Sequence, residues 1–427
     1  MSNTARFPLI LSVLALTALG ASHAQAAPGD LDRAFGTKGK VLRDVGGEDF
    51  VADLVTRRNR KVVALVELDR GGDDGVGVMQ LRRNGRLDRD FGRRGLARVS
   101  LAGDEYAGGI ELAARGKVVI SFTSDPSGAD RAFGLARFRE NGKPDRSLDR
   151  DGVQTTGFGT GFSGATAYGL ALDGGDAIVA GDVFNAGGTR GDFAIARFSS
   201  NGTLDAGFSG DGRQTTDFQE QYDTAYGVDV DSEGRVIAVG TVDPPAGVDP
   251  LAVARYGADG ELDESFSDDG ILVSMIAPEG RDVVALPDDR IAVAGTVSGD
   301  FLVARFAEDG SPDAAFSGDG VQTVDFADGA DTAAALARFG SKLVAVGTVR
   351  TGRRGRDFGV ARLNANGTLD RKFSGDGRRA IDLAKNEDNA FGVAIDRTGD
   401  VLVGGRVERR GQGDSGIVRL QGKGGRR

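Results

Sequence analysis

The stretch NGTLDAGFSGDG at 201–212 returns as NGTLDRKFSGDG at 366–377, and weaker copies share its spacing. The frame Asp-x-x-(Phe/Leu)-x-x-x-Gly occurs seven times. Its acids are Asp32, Asp88, Asp145, Asp205, Asp263, Asp313 and Asp370. Its apolar residues are Phe35, Phe91, Leu148, Phe208, Phe266, Phe316 and Phe373, and its glycines are Gly39, Gly95, Gly152, Gly212, Gly270, Gly320 and Gly377. From Phe35 to Phe373 the steps are 56, 57, 60, 58, 50 and 57 residues. A period of this length points to a propeller, a solenoid or an array of small domains.

One period reads as four strands. In the fourth copy these are GRQTTDF (212–218), AYGVDV (225–230), RVIAVGTV (235–242) and LAVARY (251–256), divided by polar turns. Short β-branched runs between turn signals predict an antiparallel meander, and no stretch has useful helical periodicity. Gly accounts for 68 of 427 residues, and these sit at fixed offsets between the apolar runs, as turns require. The fold expected is all-β: a seven-bladed β-propeller of four-stranded antiparallel blades. A parallel β-helix would want shorter coils. The chain begins with a motif lacking a preceding strand and ends with a strand, GIVRL (416–420), lacking a following motif. Pairing these two ends would close the ring and protect its sheet edges.

The motif reads as a structural plug. Leu204 and Phe208 are four apart, so one helical turn would put them on one side. Asp205 would cap that turn, and Gly212 would allow a positive φ. The strand before each motif carries Arg137, Arg197, Arg255, Arg305, Arg362 or Arg419, with Gln80 in the remaining copy. An Arg among small apolar neighbours needs a carboxylate partner, and the motif Asp is the candidate.

These residues resemble the delta-60 repeat, a bacterial repeat assigned to β-propellers. The likeness rests on FxxARFxxNGxLDxxFSGDG followed by AYGxxxDxxGxIxVAG and runs from about Leu31 to Leu420. Local departures are Leu148 for Phe, Pro144 and Pro312 for Leu, and Lys38 and Arg94 for the Asp of SGDG. The resemblance implies a propeller and export, and it carries over no catalytic residue.

The first 26 residues read as a secretory signal: Arg6, the apolar run Phe7–Leu19, then Ala24-Gln25-Ala26 before the cut. The apolar run is too short to span a bilayer. The expected product is a single propeller domain, 27–427, secreted or periplasmic, with no membrane span. Net charge is −10, or −11 once Arg6 leaves with the signal. An acidic surface argues against nucleic acid and anionic lipid as partners. The sole His is His23, inside the signal, and the chain has no Cys and no Trp. Thiolate nucleophiles, His bases and His or Cys metal sites are therefore excluded from the mature chain. No cofactor is expected.

Three acidic sets remain. Asp151, Asp211, Asp269, Asp319 and Asp376 stand in DG pairs. Asp229, Asp231 and Glu233 form DVDSEG, which resembles the start of a Ca²⁺ loop but has Gly240 where the bidentate Glu belongs. Oxygen-rich turns can hold Ca²⁺, yet Lys38 and Arg94 replace the DG acid in two copies, and turn-forming roles are favoured for both sets. Asp49, Glu105, Asp223, Asp331 and Asp388 precede the AYG-type strand and would share one face of a ring. Two such carboxylates close together could act as acid and base. The repeats show no unique polar cluster, so a non-enzymatic scaffold for a protein or glycan partner is favoured over a carboxylate-based extracellular hydrolase or lyase. The loops before the LAVARY-type strand vary most and are the expected contact surface.

Overall fold

The computed structural model describes residues 26–69, 74–126, 130–187, 190–218, 222–243, 249–327, 329–352 and 355–423. The leader reading, with Arg6 and His23, lies outside the described residues except for Ala26. The described residues form 28 strands and one short 3-10 turn, Ala114–Gly116. Among them no helix is long and apolar enough to cross a membrane.

The strands form five separate four-stranded sheets and one eight-stranded sheet. The larger sheet is two antiparallel four-stranded halves joined by a single parallel contact, Gly191 with Tyr222. In each unit the spatial order follows the chain, with one exception. Lys40–Arg43 is the last strand of the sheet formed by Asp388–Ile395, Val401–Arg409 and Gln412–Leu420. Lys40 pairs with Val418 there and Leu31 bridges Leu420.

The AYG-type segment is the first strand of each unit. These first strands are Glu48–Thr56, Asp104–Ala113, Phe162–Asp173, Tyr222–Val230, Gly280–Ala285, Thr332–Phe339 and Asp388–Ile395. Each packs against the next in this order, and Asp388–Ile395 packs against Glu48–Thr56. The second strands are covered on both faces by neighbouring sheets, so they read as unbroken apolar runs: residues 62–66 and 236–242 are buried throughout. Phe193, Phe208 and Phe218 of one unit, for example, pack on Ala225, Ala238, Ala252 and Tyr256 of the next.

Each first strand has a bulge in its pairing with the second, as between Ala225 and Gly227. The bulge brings the two backbones together. A Cβ on Gly240, opposite the bulge, would lie 1.8 Å from the Thr224 carbonyl oxygen. The glycine of the RVIAVGTV segment is therefore a packing requirement of the bulge.

The motif forms a run of tight turns in place of the expected helical turn. Phe208 N–H donates to the Asp205 carbonyl at 2.9 Å, and Gly212 N–H donates to the Phe208 carbonyl at 2.7 Å. Asp205 Oδ1 accepts the Gly207 N–H at 2.9 Å. Ser209, Gly210 and Gly212 all take positive φ, at 50°, 80° and 85°, which ends any helix within one turn.

Candidate functional site

The seven first strands surround a cavity of about 540 Å³. Their bulges place Tyr168, Tyr226, Arg281 and Phe391 on its wall, and the strand segments beyond the bulges add Asp53, Glu111, Asp229 and Asp282. Strand register sorts the four acids into two levels. Asp53 and Asp282 hold the place occupied by Gly169, Gly227, Ala335 and Gly392 in other strands. Glu111 and Asp229 hold the place of Val55, Ala171, Val284, Ala337 and Ala394. These acids break the repeat, so the expectation that no unique polar cluster exists is corrected. Each looks like an isolated substitution in the sequence; only strand register brings them to one cavity.

Their carboxylates also join neighbouring strands. Asp53 Oδ1 accepts the Leu54 N–H at 2.8 Å and Oδ2 accepts that of Ile110 at 3.2 Å. Asp229 accepts from Val230 and from Ala285, both at 2.8 Å, and Asp282 accepts from Val283 at 2.8 Å and Leu336 at 2.7 Å. Glu111 uses only Oε2, toward the Leu112 N–H at 3.3 Å. Among the described residues none of the four forms an ion pair. Burial pushes the Asp53, Glu111 and Asp282 carboxyls up to about 7 and raises Asp229 as well. The charges of Asp229 and Asp282 push Glu111 further, and Arg338 offsets part of the rise at Asp229. Tyr168 and Tyr226 form a tilted pair with ring centres 5.2 Å apart and planes at 57°, and the Arg281 guanidinium lies 4.4 Å from the Tyr226 ring centre.

The motif residues lie elsewhere, between sheets. Arg137 pairs with Asp145 at 2.8 Å, Arg197 with Asp205 at 2.6 Å, Arg255 with Asp263 and Arg305 with Asp313 at 2.7 Å, and Arg362 with Asp370 at 2.9 Å. Arg419 reaches Asp32 at 4.0 Å. The same guanidiniums donate to a turn carbonyl of the following repeat, as Arg197 does to Ala258 at 2.5 Å, and Arg419 donates to Arg83 at 2.6 Å. Where Gln80 replaces Arg, Arg57 supplies the guanidinium. It donates to Gln80 Oε1 at 2.7 Å and to the Glu140 carbonyl at 3.3 Å, while Gln80 Nε2 donates to Asp88 at 2.9 Å. The motif apolar residues Phe35, Phe91, Leu148, Phe208, Phe266, Phe316 and Phe373 are all buried.

The remaining acidic sets separate. Asp151, Asp211, Asp269, Asp319 and Asp376 each accept the backbone N–H two residues on, at 2.9–3.0 Å. Asp229 faces the cavity, whereas Asp231 pairs with Arg235 at 2.6 Å inside a hairpin turn and Glu233 lies 3.3 Å from the same Arg. Asp49, Asp223, Asp331 and Asp388 stand at the starts of first strands, buried where neighbouring sheets meet, as does Glu105.

Four segments, 178–208, 232–266, 286–316 and 341–373, match the family described as a domain of unknown function (DUF5122) beta-propeller. The protein is a β-propeller. A search of curated proteins gives no match. Among solved structures, a protein of unknown function from Dyadobacter fermentans is 11% identical over 89% of this propeller and 99% of that chain, with TM-score 0.47. The Hadza microbial sialidase Hz136 is 10% identical over 93% and 98%, with TM-score 0.47. The beta-propeller domain of the Trilobed protease from Pyrococcus furiosus is 8% identical over 89% and 100%, with TM-score 0.46. None of these three reaches 0.5, and the fold rests on the strand pairing and the family match.

Proposed function

We propose that the protein is an exported propeller of seven blades, of the delta-60 type, closed into a ring through its N-terminal strand. We propose further that it is a non-enzymatic scaffold that holds a cationic group, an ammonium or guanidinium, in the central cavity. The observation that carries this reading is the convergence of Asp53, Glu111, Asp229 and Asp282 with no ion-pair partner among the described residues. A bound cation would favour the charged carboxylates and relieve their mutual repulsion. The Tyr168 ring adds a π-face that attracts cations, as the Tyr226 ring already does for Arg281. Export rests on the leader sequence, and the seven-bladed ring is supported by the contact of each first strand with the next.

The raised carboxyls favour, as a second reading, a carboxylate-based hydrolase or lyase acting on a polysaccharide or similar substrate. That chemistry needs two carboxyls free to exchange protons. Asp53, Asp229 and Asp282 each have both oxygens engaged by backbone N–H groups, which leaves Glu111 alone with a free oxygen.

The test is calorimetric titration of the chain from Ala27 with spermidine, arginine and neutral oligosaccharides. Saturable binding of a cation, lost in Glu111→Gln, supports the scaffold reading. Reducing-end release from a polysaccharide panel, abolished in Glu111→Gln, would replace it with the hydrolytic one. Absence of both would remove the cavity as the functional site.

A further inference from the structure

We propose that two of the junctions between neighbouring sheets, those holding Asp223 and Asp388, are divalent-cation sites of the calcium class, each made by three aspartates drawn from two sheets. Asp192 opens a third strand, Gly191–Phe198; Asp217 follows the fourth strand of that unit, Arg213–Thr216; Asp223 starts the first strand of the next. A carboxylate oxygen from each of the three lies within 4.8 Å of the others. The same geometry recurs at Asp300, Asp325 and Asp331, at Asp357, Asp382 and Asp388, and at Asp414, Asp44 and Asp49.

Two buried oxygens point to a ligand independently. Asp223 is 0% exposed; its Oδ2 accepts the Phe218 N–H at 2.7 Å, and its Oδ1 has no partner among the described residues. Asp388 is also 0% exposed; its Oδ2 accepts from Leu383 and Ala384 at 2.6 and 3.3 Å, and its Oδ1 has none among the described residues. A buried oxygen without a donor costs stability, and here its neighbours are two more carboxylates. A cation at the centre answers both. Calcium takes oxygen ligands at about 2.4 Å, so oxygens up to about 4.8 Å apart fit around one ion.

The repeats themselves supply a second argument. Register places Pro250, Met275 and Pro278 at the equivalent positions of one junction, and Ala132, Gly157 and Ala165 at another. Three positions drawn from two neighbouring sheets are thus all aspartate at four junctions and all uncharged at two. Only Glu105 breaks this rule, facing Gly75 and Ser100 positions at the remaining junction. Residues that merely shaped a turn would have no reason to change together; ligands of one ion would.

The four sites are not equal. Asp49 Oδ1 accepts both the N–H and the hydroxyl of Ser415, at 2.8 and 2.5 Å, its Oδ2 accepts the Val45 N–H at 2.9 Å, and Asp414 pairs with Arg409 at 2.8 Å. Asp331 accepts from Phe326 and Arg350 at 3.0 and 2.9 Å, one oxygen each. Near Asp388, Lys40 Nζ donates to the Asp382 carbonyl, Lys385 N–H donates to Asp382 at 2.6 Å and Thr351 donates to Asp357 at 2.8 Å. The two proposed sites are those of Asp223 and Asp388, where a buried carboxylate oxygen has no partner among the described residues.

The experiment is thermal unfolding of the chelated chain from Ala27, titrated with CaCl₂ and in parallel with MgCl₂, together with calcium counted by mass spectrometry after dialysis. The expected result is a saturable rise in Tm of several degrees with calcium and at least two ions bound per chain. Asp223→Asn with Asp388→Asn should lower the ion count by two and shrink the calcium-dependent rise. Without calcium the double variant should melt no lower than the parent, because it removes charge from two repelling clusters, and this separates lost ligands from failed folding. A Tm and an ion count that do not respond to calcium would overturn the proposal, as would a response the double variant leaves intact. A response to magnesium equal to that of calcium would overturn the calcium assignment.

Discussion

The guanidinium of Arg255 lies 4.8 Å from the centre of the Phe266 ring, while its Nε donates to Asp263 at 2.7 Å. One side chain therefore joins the plug to its strand, and through Nη1 on the Glu308 carbonyl at 2.5 Å it also reaches the next repeat. Phe266 is 0% exposed. Phe266→Ala should cost about 3–5 kcal/mol by loss of buried area and the cavity left behind. Arg255→Ala should cost a similar amount, because Asp263 would keep its charge and lose its partner. Arg255→Met with Asp263→Asn should recover part of the loss. Urea unfolding midpoints of the three proteins check this, and a double variant no better than Arg255→Ala would count against a coupled pair.

Removing residues 27–43 tests how far stability depends on the joined termini. Those residues supply Lys40–Arg43 to the last sheet and the Pro28 carbonyl that accepts the Ser374 N–H at 2.8 Å. Their loss would leave Gln412–Leu420 paired only with Val401–Arg409 and open its other edge. The truncated chain should melt well below the parent and self-associate, read by scanning calorimetry and size-exclusion chromatography. An unchanged melting temperature would mean that the units hold together without this strand.

The architecture was legible because its signals repeat. Each motif Phe and each strand Arg recurs at a spacing that propensity and periodicity can read. The central acids were hidden for the opposite reason. Asp53 and Glu111 lie in different strands at different levels, and only the bulges at Val51–Asp53 and Ala107–Ile110 bring them to one cavity. A bulge shifts which side chains face inward, and no composition rule locates it. Arg57 was hidden similarly: it compensates for Gln80 from a position 23 residues away, across a hairpin.

Gly240→Ala should be far more damaging than Gly210→Ala. Both add one methyl group. At Gly240 the new Cβ would meet the Thr224 carbonyl oxygen at 1.8 Å, whereas at Gly210 nothing lies within 4 Å. The first must push two paired strands apart and should abolish cooperative unfolding or soluble expression. The second strains only a φ of 80° and should cost about 1–2 kcal/mol. Far-UV dichroism on melting compares them, and similar losses would place the bulge elsewhere.

Stability should fall as pH rises from mildly acidic to mildly basic. Burial holds Asp53, Glu111 and Asp282 at about 7. The unfolded chain titrates such groups near 4. Between those values the folded protein binds more protons than the unfolded chain, so their contribution is present below about pH 4 and lost as pH climbs through 7. Asp223, pushed to about 7, and Asp182 and Asp388, to about 6, slope the same way. Glu111→Gln isolates one member of this group, because a single oxygen of Glu111 is engaged, by the Leu112 N–H. The variant should match the parent near pH 5, melt higher near pH 8, and lose less between them. Parallel melting curves for the two proteins across that range would mean that Glu111 is ionised throughout, with a cation or water supplying what the cavity walls do not.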